Sequence, residues 1–260
     1  MTITPSLKHD YLVKLAQDGK RADGRAFDEF RKIEIETGVV LKAEGSAKVK
    51  IGNTQVLTGI KMDVGEPYPD IPNEGVMTTA AELIPLASPD FESGPPDEKA
   101  IELARVVDRG IRESKLIDVE KLCIEPNEKV WIVFIDIHIL DYDGNLFDAA
   151  SLASLAALMT TKVPAKRFEL GEDYPLPLRD PPVSLTSVKF NGTCVMDPFL
   201  DEEEIAEARL TVAVDKNGDI RAMQKGLNGS FTKEEIKNII NVSIINGKKI
   251  REILLKSVGK

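Results

Sequence analysis

The stretch that decides the fold runs from Val130 to Lys162 and reads VWIVFIDIHILDYDGNLFDAASLASLAALMTTK. Residues 130–140 are apolar on both alternating faces, which predicts a central strand that is covered on both sides. Asp143-Gly144 is a turn signal, and the segment after it is rich in Ala, Leu and Ser with little charge beyond Asp148. This composition predicts a helix that is buried nearly all round. Backbone N–H groups at the start of that helix would form an anion-binding turn, so the residues of the turn decide the functional interpretation.

Periodicity and turn signals on either side of this stretch predict the remaining elements. We expect helices at 6–19 and 97–115, and a closing helix that opens with a capping box at Thr232 and has Gly247 as a candidate break or kink. The predicted strands lie at 31–37, 46–51, 55–64, 76–86, 183–190, 193–196, 207–214 and 220–225. Interleaved strands and helices predict an α/β (α+β) fold with two related βαβ-type lobes in one compact domain. Its parts would be an N-terminal helix at 1–20, a first lobe at about 21–162 and a second lobe at about 183–260.

Composition excludes several classes of protein. The 260 residues include no apolar run long enough for a membrane span, and the N-terminus lacks the pattern of a signal peptide, so we expect a cytoplasmic protein without membrane contact. The two cysteines, Cys123 and Cys194, have no metal-ligand spacing, and reduced thiols are expected. A net charge of −9 and an aromatic content of 5% argue against nucleic-acid binding by the whole surface, but they leave room for a local basic patch.

Two polar segments are candidates for chemistry, and each has an ordinary alternative. Asp136 and His138 lie two apart on one strand face and would suit an acid/base pair, yet a hydrogen-bonded pair in the core or at a lobe interface is the favoured interpretation. The acidic run Asp201–Glu207, and Asp201–Glu204 within it, has the ligand type that Mg²⁺ prefers, but a solvated turn is favoured. The sequence contains neither a histidine–cysteine metal signature nor a glycine-rich nucleotide loop.

The predicted helix at 97–115 carries a stripe of arginines, because Arg105, Arg109 and Arg112 recur at helical spacing. Local ion pairs offer an ordinary interpretation, in which Glu102 binds Arg105 and Asp108 binds Arg112. These two carboxylates would neutralise only part of the positive charge of the three guanidinium groups. Phosphate is the alternative partner, because a guanidinium fork binds it bidentately.

Five segments resemble motifs of the RNase PH family, the phosphate-dependent 3′-to-5′ exoribonucleases and their relatives, and they occur in the family's order. The segments are Arg21–Arg25 (RADGR), Gly45–Val56 (GSAKVKIGNTQV), Arg105–Arg112 (RVVDRGIR), Ile135–Gly144 (IDIHILDYDG) and Val195–Asp197 (VMD) with the acidic run after it. The likeness spans about residues 20–225. It implies the RNase PH-like fold, which is also described as ribosomal protein S5 domain 2-like.

The loop after the central strand departs from the family pattern. Active members have Gly-Thr-Arg or Gly-Ser-Arg there, and the backbone N–H groups, hydroxyl and arginine of that loop hold the attacking phosphate. Here the loop is Gly144-Asn145-Leu146-Phe147-Asp148, so Leu146 and Phe147 replace the hydroxyl and the cation. Asp148 adds a negative charge that suits the helix dipole but repels phosphate.

The acidic segment departs from the pattern as well. Glu203 stands where the family has an earlier catalytic aspartate, and Arg209 occupies the position of a later aspartate that acts as metal ligand or general acid. A phosphate site without its cation and a carboxylate site with a cation cannot run phosphorolysis. The resemblance therefore implies a chain with no catalytic residue, no bound metal and no cofactor.

These departures resemble one branch of the family, the non-catalytic RNase PH-like subunits of archaeal exosomes. The branch implies heterodimers with a catalytic RNase PH-like subunit, a trimer of such dimers as a hexameric ring, and cap proteins with RNA-binding domains. The arginine helix would then hold single-stranded RNA that leads into the partner's active site. Arg105 and Arg109 are the strongest candidates, and Arg112 is weaker because Asp108 is at hand. Two alternatives are an active phosphate-dependent exoribonuclease with a remodelled loop and a small-molecule enzyme with the same α/β lobe.

Overall fold

The structure is a computed structural model that describes residues 3–259. Its helices are α1 (Ile3–Gln17), α2 (Glu98–Glu113), α3 (Leu146–Thr160), α4 (Leu200–Glu204) and α5 (Lys233–Ser257). Its strands are β1 (Ile33–Thr37), β2 (Gly45–Ile51), β3 (Thr54–Gly65), β4 (Val76–Leu83), β5 (Cys123–Glu125), β6 (Lys129–Asp141), β7 (Lys162–Val163), β8 (Tyr174–Pro175), β9 (Val183–Phe190), β10 (Thr193–Met196), β11 (Ala208–Val214) and β12 (Ile220–Gly226). Within residues 3–259, no helix combines the length and hydropathy that a membrane span requires.

Two sheets form the framework. The first has the order β1-β2-β3-β6-β4, with β5 paired to the beginning of β6. Its strands β4 and β6 run parallel, while the other neighbours are antiparallel. Helix α2 lies on the connection between β4 and β6, which is the long crossover that a parallel pair requires. The second sheet, β10-β9-β11-β12, is antiparallel throughout.

Helix α3 lies between the two sheets and is buried from Phe147 to Leu158. It contacts β1, β2 and β3 of the first sheet and β9 of the second. The approach is close, because a Cβ on Gly45 of β2 would stand 2.5 Å from the carbonyl oxygen of Ala157. The predicted central helix, buried nearly all round, is therefore confirmed.

Strand β6 is buried on one face and half-exposed on the other. Val133, Ile135, Ile137 and Ile139 are buried in the core, whereas the alternate residues between 132 and 140 are only partly buried. The prediction of a strand covered on both sides is wrong for residues 3–259, because the outer face of the first sheet stays accessible.

Asp136 and His138 lie on this outer face, so the predicted position in the core or at a lobe interface is wrong. His138 Nδ1 lies 3.2 Å from Glu82 Oε2 on the neighbouring β4. Burial raises the pKa of Asp136, His138 opposes the shift, and the Glu82 carboxylate adds to it. The histidine therefore has a partner of its own on the next strand.

Helix α5 runs without interruption through Gly247, so the expected break there is wrong. A Cβ on Gly247 would stand 2.6 Å from Val214 Cγ2 and 3.4 Å from Leu185 Cδ1. The glycine lets α5 pack closely on β9 and β11, and this contact outweighs its low helix propensity. The capping box at Thr232 is present as predicted.

Candidate functional site

The loop between β6 and α3 is clamped through its backbone. Gly144 has a φ of +83°, and a Cβ there would stand 2.6 Å from the backbone carbon of Phe199, so no larger residue fits. Thr54 Oγ1 donates to the Gly144 carbonyl at 2.7 Å and accepts the Asp143 N–H at 3.0 Å. Arg31 Nη1 donates to the Asp143 carbonyl at 2.6 Å. These contacts fix the course of the chain before the helix begins.

Asp197 is the buried centre of this clamp. Its carboxylate accepts hydrogen bonds from Arg31 Nε at 2.9 Å, from Arg25 Nη1 at 2.9 Å and from Asn145 Nδ2 at 2.7 Å. Burial alone would raise the pKa of Asp197, but the hydrogen bonds and charge of Arg31 outweigh burial and hold the pKa below its ordinary value. Two of the quoted motifs, RADGR and VMD, therefore meet here in a structural role.

The acidic run is not a solvated turn, which corrects the favoured prediction. Its residues 201–204 lie in α4, and the Glu202 carboxylate makes a buried two-point ion pair with Arg21 at 2.8 and 2.5 Å. Both side chains are 1% exposed. Asp201 is half-buried and pairs with Lys8 at 2.6 Å. Among residues 3–259, no group of three His, Cys, Asp or Glu residues is arranged to hold a metal ion.

Glu203 reaches from α4 into the loop. Its Oε2 accepts the Tyr142 hydroxyl at 2.8 Å and the Asn145 backbone N–H at 3.2 Å. Burial raises the pKa of Glu203, and the hydrogen bond from Tyr142 opposes the shift. The chain's own carboxylate therefore takes the amide that would face an anion at the start of α3.

Arg209 packs against an aromatic ring and a glycine. Its guanidinium carbon is 4.0 Å from the centroid of the Phe147 ring, and a Cβ on Gly226 would stand 2.9 Å from that carbon. Its Nη2 forms an ion pair with Glu102, so the predicted pair of Glu102 with Arg105 is wrong. Arg209 is 9% exposed, and its buried Nε has no acceptor in the described part of the chain.

A cavity of about 300 Å³ opens beside these groups. Glu203 and Arg209 line it, with Lys99, Glu102 and Glu204 as further charged residues. Its apolar walls are Leu83, Phe91, Leu103, Leu146, Phe147 and Leu227 together with the ring of Tyr142. The structure therefore brings together the predicted positions Leu146, Phe147, Glu203 and Arg209, and sequence reasoning had no means of placing Phe91 or Leu227 there.

Asp148 does not line the cavity, because its side chain is directed into the interior of the protein. Its carboxylate is buried and accepts the Thr186 N–H at 2.9 Å, the Thr186 hydroxyl at 2.7 Å and Asn145 Nδ2 at 2.9 Å. Burial raises the pKa of Asp148 to about 7 against these hydrogen bonds. Asp148 therefore ties α3 to β9, and the negative charge beside the loop amide belongs to Glu203.

Helix α2 lies between β4 of the first sheet and β12 of the second, and it presents its arginines to solvent. Arg105 is exposed and forms no ion pair within residues 3–259. Arg109 Nη1 donates to Gln224 Oε1 at 2.9 Å. The predicted pair of Arg112 with Asp108 is present at 2.9 Å, and Arg112 also donates to the Met77 carbonyl at 3.1 Å.

A groove of about 660 Å³ runs between α2 and β4, and all three arginines line it. Ile101 on α2 is 47% exposed and lines the same groove. Strand β4 forms the edge of the first sheet, so its backbone borders the groove. The arginine stripe is therefore an accessible, groove-lining surface about 10 Å long from residue 105 to residue 112, at the rise of an α-helix.

Two family models match the chain. The first domain of the 3′ exoribonuclease family matches residues 29–164, and its second domain matches residues 180–246. The two-sheet framework around α3 follows the same fold, since rice Rrp46 superposes with a TM-score of 0.71 at 18% identity over 92% of this chain and 100% of that chain. The chain belongs to the RNase PH family of 3′ exoribonucleases, and the predicted fold is confirmed.

Relatives with much higher identity are archaeal. The chain is 56% identical to the exosome complex component Rrp42 of Methanocella arvoryzae over 97% of each chain. It is 55% identical to the component of the same name in Archaeoglobus fulgidus over 96% of each. Among solved structures, it matches a chain of the A. fulgidus exosome with RNA bound to the active site at 55% identity and a TM-score of 0.94, over 96% of this chain and 99% of that chain.

Proposed function

We propose that this chain is a non-catalytic ring subunit of an archaeal exosome, a 3′-to-5′ phosphorolytic RNA-degrading complex. The support is the sequence identity of 55–56% that the chain shares with proteins named exosome complex component Rrp42 over nearly their whole length. Its partners would be the catalytic RNase PH-like subunit, in heterodimers that assemble into a hexamer, and cap proteins with RNA-binding domains. The complex would work in the cytoplasm.

The contact between Glu203 and the Asn145 N–H carries the non-catalytic part of the proposal. Phosphorolysis needs inorganic phosphate held by a cation and by donors aimed at its oxygens. Here a carboxylate already accepts the loop amide, so an approaching phosphate would meet a like charge. Phe147 stands where the family has a cation, and the neighbouring Arg209 is engaged by Glu102.

The arginine helix carries the RNA-guiding part of the proposal. Arg105 has no ion pair in residues 3–259 and Arg109 has only a neutral partner in Gln224, so both can bind phosphate without breaking a salt bridge. Arg112 already holds Asp108 and contributes less. Contacts with the sugar–phosphate backbone carry no sequence information, which suits a complex that degrades any RNA.

The test is phosphorolysis by the isolated chain. Incubated with single-stranded RNA and inorganic phosphate, it should release no nucleoside diphosphates above background. Mixed with a catalytic RNase PH-like subunit, it should co-sediment as a larger particle that does release them. Steady release by the isolated chain would favour the alternative, an active phosphate-dependent exoribonuclease.

A further inference from the structure

Asparagine followed by glycine occurs four times in this chain, at Asn191, Asn217, Asn228 and Asn246. Asparagine is a thermolabile residue, and a following glycine leaves its backbone nitrogen open to the asparagine side chain. We propose that Asn191 is a site of spontaneous deamidation in the folded chain, whereas hydrogen bonds protect the other three asparagines. A modification of this kind does not depend on the proposed function.

Asn191 and Gly192 are the two loop residues of the hairpin between β9 and β10, since Phe190 pairs with Thr193. Their φ angles are +44° and +77°, and positive φ at both central residues defines a type I′ turn. Both residues are exposed, and the Gly192 N–H has no hydrogen-bond acceptor within residues 3–259. The reacting nitrogen is therefore accessible to solvent and held by no partner.

The reaction joins two neighbouring groups of the same turn. The Gly192 nitrogen gives up its proton and forms a bond with the side-chain carbonyl carbon of Asn191. The carboxamide nitrogen takes up a proton and leaves as ammonia, so a cyclic imide remains. Water then opens this ring at one of its two carbonyls and yields either aspartate or isoaspartate, with no oxidant, reductant or cofactor.

The turn lies one peptide flip away from the reactive geometry. Closure of the five-membered ring needs a ψ of about −120° at Asn191, which is the value at the first central residue of a type II′ turn. Types I′ and II′ share the positive φ of that residue and differ in the orientation of the central peptide. Gly192 permits this flip because glycine adopts either sign of φ. Glu207 Oε1 accepts the Asn191 N–H at 3.0 Å, and this contact lies on the preceding peptide and need not break.

Two of the other glycines lie in turns, but their amides are engaged. The Gly218 N–H donates to the Asp215 carbonyl at 3.2 Å. The Gly229 N–H donates to the Glu207 carbonyl at 2.6 Å. Each of these nitrogens must lose a backbone hydrogen bond before it can attack the preceding asparagine.

The last Asn-Gly step lies inside helix α5, where the helical backbone conformation holds the two reacting groups apart. Asn246 is 8% exposed, and its Nδ2 donates to the Asp28 carbonyl at 2.7 Å. Loss of one hydrogen bond slows a reaction roughly tenfold, and each of the three protected sites must lose at least one. The structure thus separates four sites that share the same following residue.

Modification at Asn191 would change both charge and backbone length. Either product adds a carboxylate beside Glu207, and isoaspartate also inserts a methylene group into the turn. Phe190 and Val195, on the two strands of the hairpin, pack with Ala16 of α1. A lengthened turn would therefore disturb the contact that holds α1 on the second sheet.

Peptide mapping of the aged protein tests the proposal. The full-length chain is incubated folded in mildly alkaline buffer, and mass spectrometry follows the change from amide to acid at each of the four sites. Asn191 should convert about tenfold faster than the other three, or more. The same chain unfolded in urea should convert at similar rates at all four sites, because the protecting contacts are then absent. Equal rates in the folded chain, or a faster rate at any of the other three sites, would overturn the proposal.

Two variants check the assignment through isoaspartate itself, which protein isoaspartyl methyltransferase labels. Asn191→Gly keeps a residue that tolerates the positive φ but removes the carboxamide, and it should remove most of the label that the folded chain acquires. Asn228→Gly makes the same change in an exposed turn and should leave the label at the parent level. A label that Asn191→Gly leaves unchanged would contradict the assignment.

Discussion

The carboxylate of Glu203 accepts the backbone N–H of Asn145 at 3.2 Å, across 58 residues of sequence. The residue that caps the N-terminus of a helix offers its amide to anions, and in this chain the Glu203 side chain binds that amide at Asn145, the N-cap of α3. The same carboxylate accepts the Tyr142 hydroxyl, whose pKa burial and the Glu203 charge both raise, so the phenol stays protonated and donates. A side chain of the same protein therefore already binds the loop amide that would otherwise face an anion.

Removal of that internal anion should open the loop to phosphate. Glu203→Ala takes one negative charge from beside the Asn145 amide, and we expect inorganic phosphate to bind at least about tenfold more tightly than to the parent chain. Isothermal titration with phosphate measures the change. Glu204→Ala removes the same charge from the exposed rim without touching the amide and serves as the control. Equal gains in both variants would mean that the contact with Asn145 does not block the loop.

The clamp around Asp197 should be sensitive to the loss of one arginine. Arg31→Ala leaves the buried Asp197 carboxylate without its main partner, and breaking a buried ion pair costs about 3–5 kcal/mol of unfolding free energy. Lys32→Ala, the next residue, removes only an exposed pair with Glu34 and should cost much less unfolding free energy than Arg31→Ala. Urea unfolding of both variants gives the comparison, and similar losses would contradict the structural role of the clamp.

Asp148 should make stability depend on pH. Its pKa rises from an ordinary value of 3.8 to about 7 in the folded chain. The folded state therefore binds more protons than the unfolded state between these values, and the contribution of this group to stability falls as pH rises through that window.

The variant Asp148→Asn tests this directly. Its amide can donate to Thr186 Oγ1, which in turn can donate to Thr211, while its oxygen accepts the Thr186 N–H. The unfolding free energy of the variant minus that of the parent should therefore increase by about 1–4 kcal/mol between pH 4 and pH 7. Asp197, whose lowered pKa acts in the opposite sense below pH 4, is unchanged in both chains. Parallel stability curves for the two chains would refute a raised pKa for Asp148.

The exposed arginines should control RNA binding by the assembled complex. Arg105→Glu and Arg109→Glu together should weaken binding of single-stranded RNA and make the negative slope of log affinity against log salt less steep by about 1–2, since each phosphate contact contributes about −0.7. Lys248→Glu, an exposed site on α5 with the same change of charge, is the control. Arg112→Glu should weaken RNA binding less than Arg105→Glu or Arg109→Glu, because Asp108 already forms an ion pair with Arg112. A slope that stays at the parent value would assign the arginines to surface ion pairs alone.

Local signals made much of this molecule predictable. The apolar stretch gave β6 and α3, and the short-range pair of Asp108 with Arg112 followed from helical spacing. The contacts that sequence missed join residues distant in the chain: Glu102 reaches Arg209 across 107 positions, and Glu202 reaches Arg21 across 181. Helical spacing alone could not tell that Asp148 turns toward β9, because that choice depends on Thr186 in the second sheet.

The division into a first lobe at 21–162 and a second at 183–260 stays a prediction. The identity of the site residues also rested on resemblance rather than on physics, because a loop without a cation is recognisable as unusual only against its family. What the contacts add is physical support for the proposed lack of phosphate binding: Glu203 accepts the loop amide of Asn145, and the Phe147 ring packs against Arg209.

The most direct test uses a reconstituted complex in which the catalytic partner has been inactivated by substitution in its own phosphate loop. Every other condition for phosphorolysis is then met, so any nucleoside diphosphate released from RNA and inorganic phosphate must come from this chain. We predict no release above background together with RNA affinity that the Arg105 and Arg109 variants lower. Sustained, phosphate-dependent release by this complex would contradict the account.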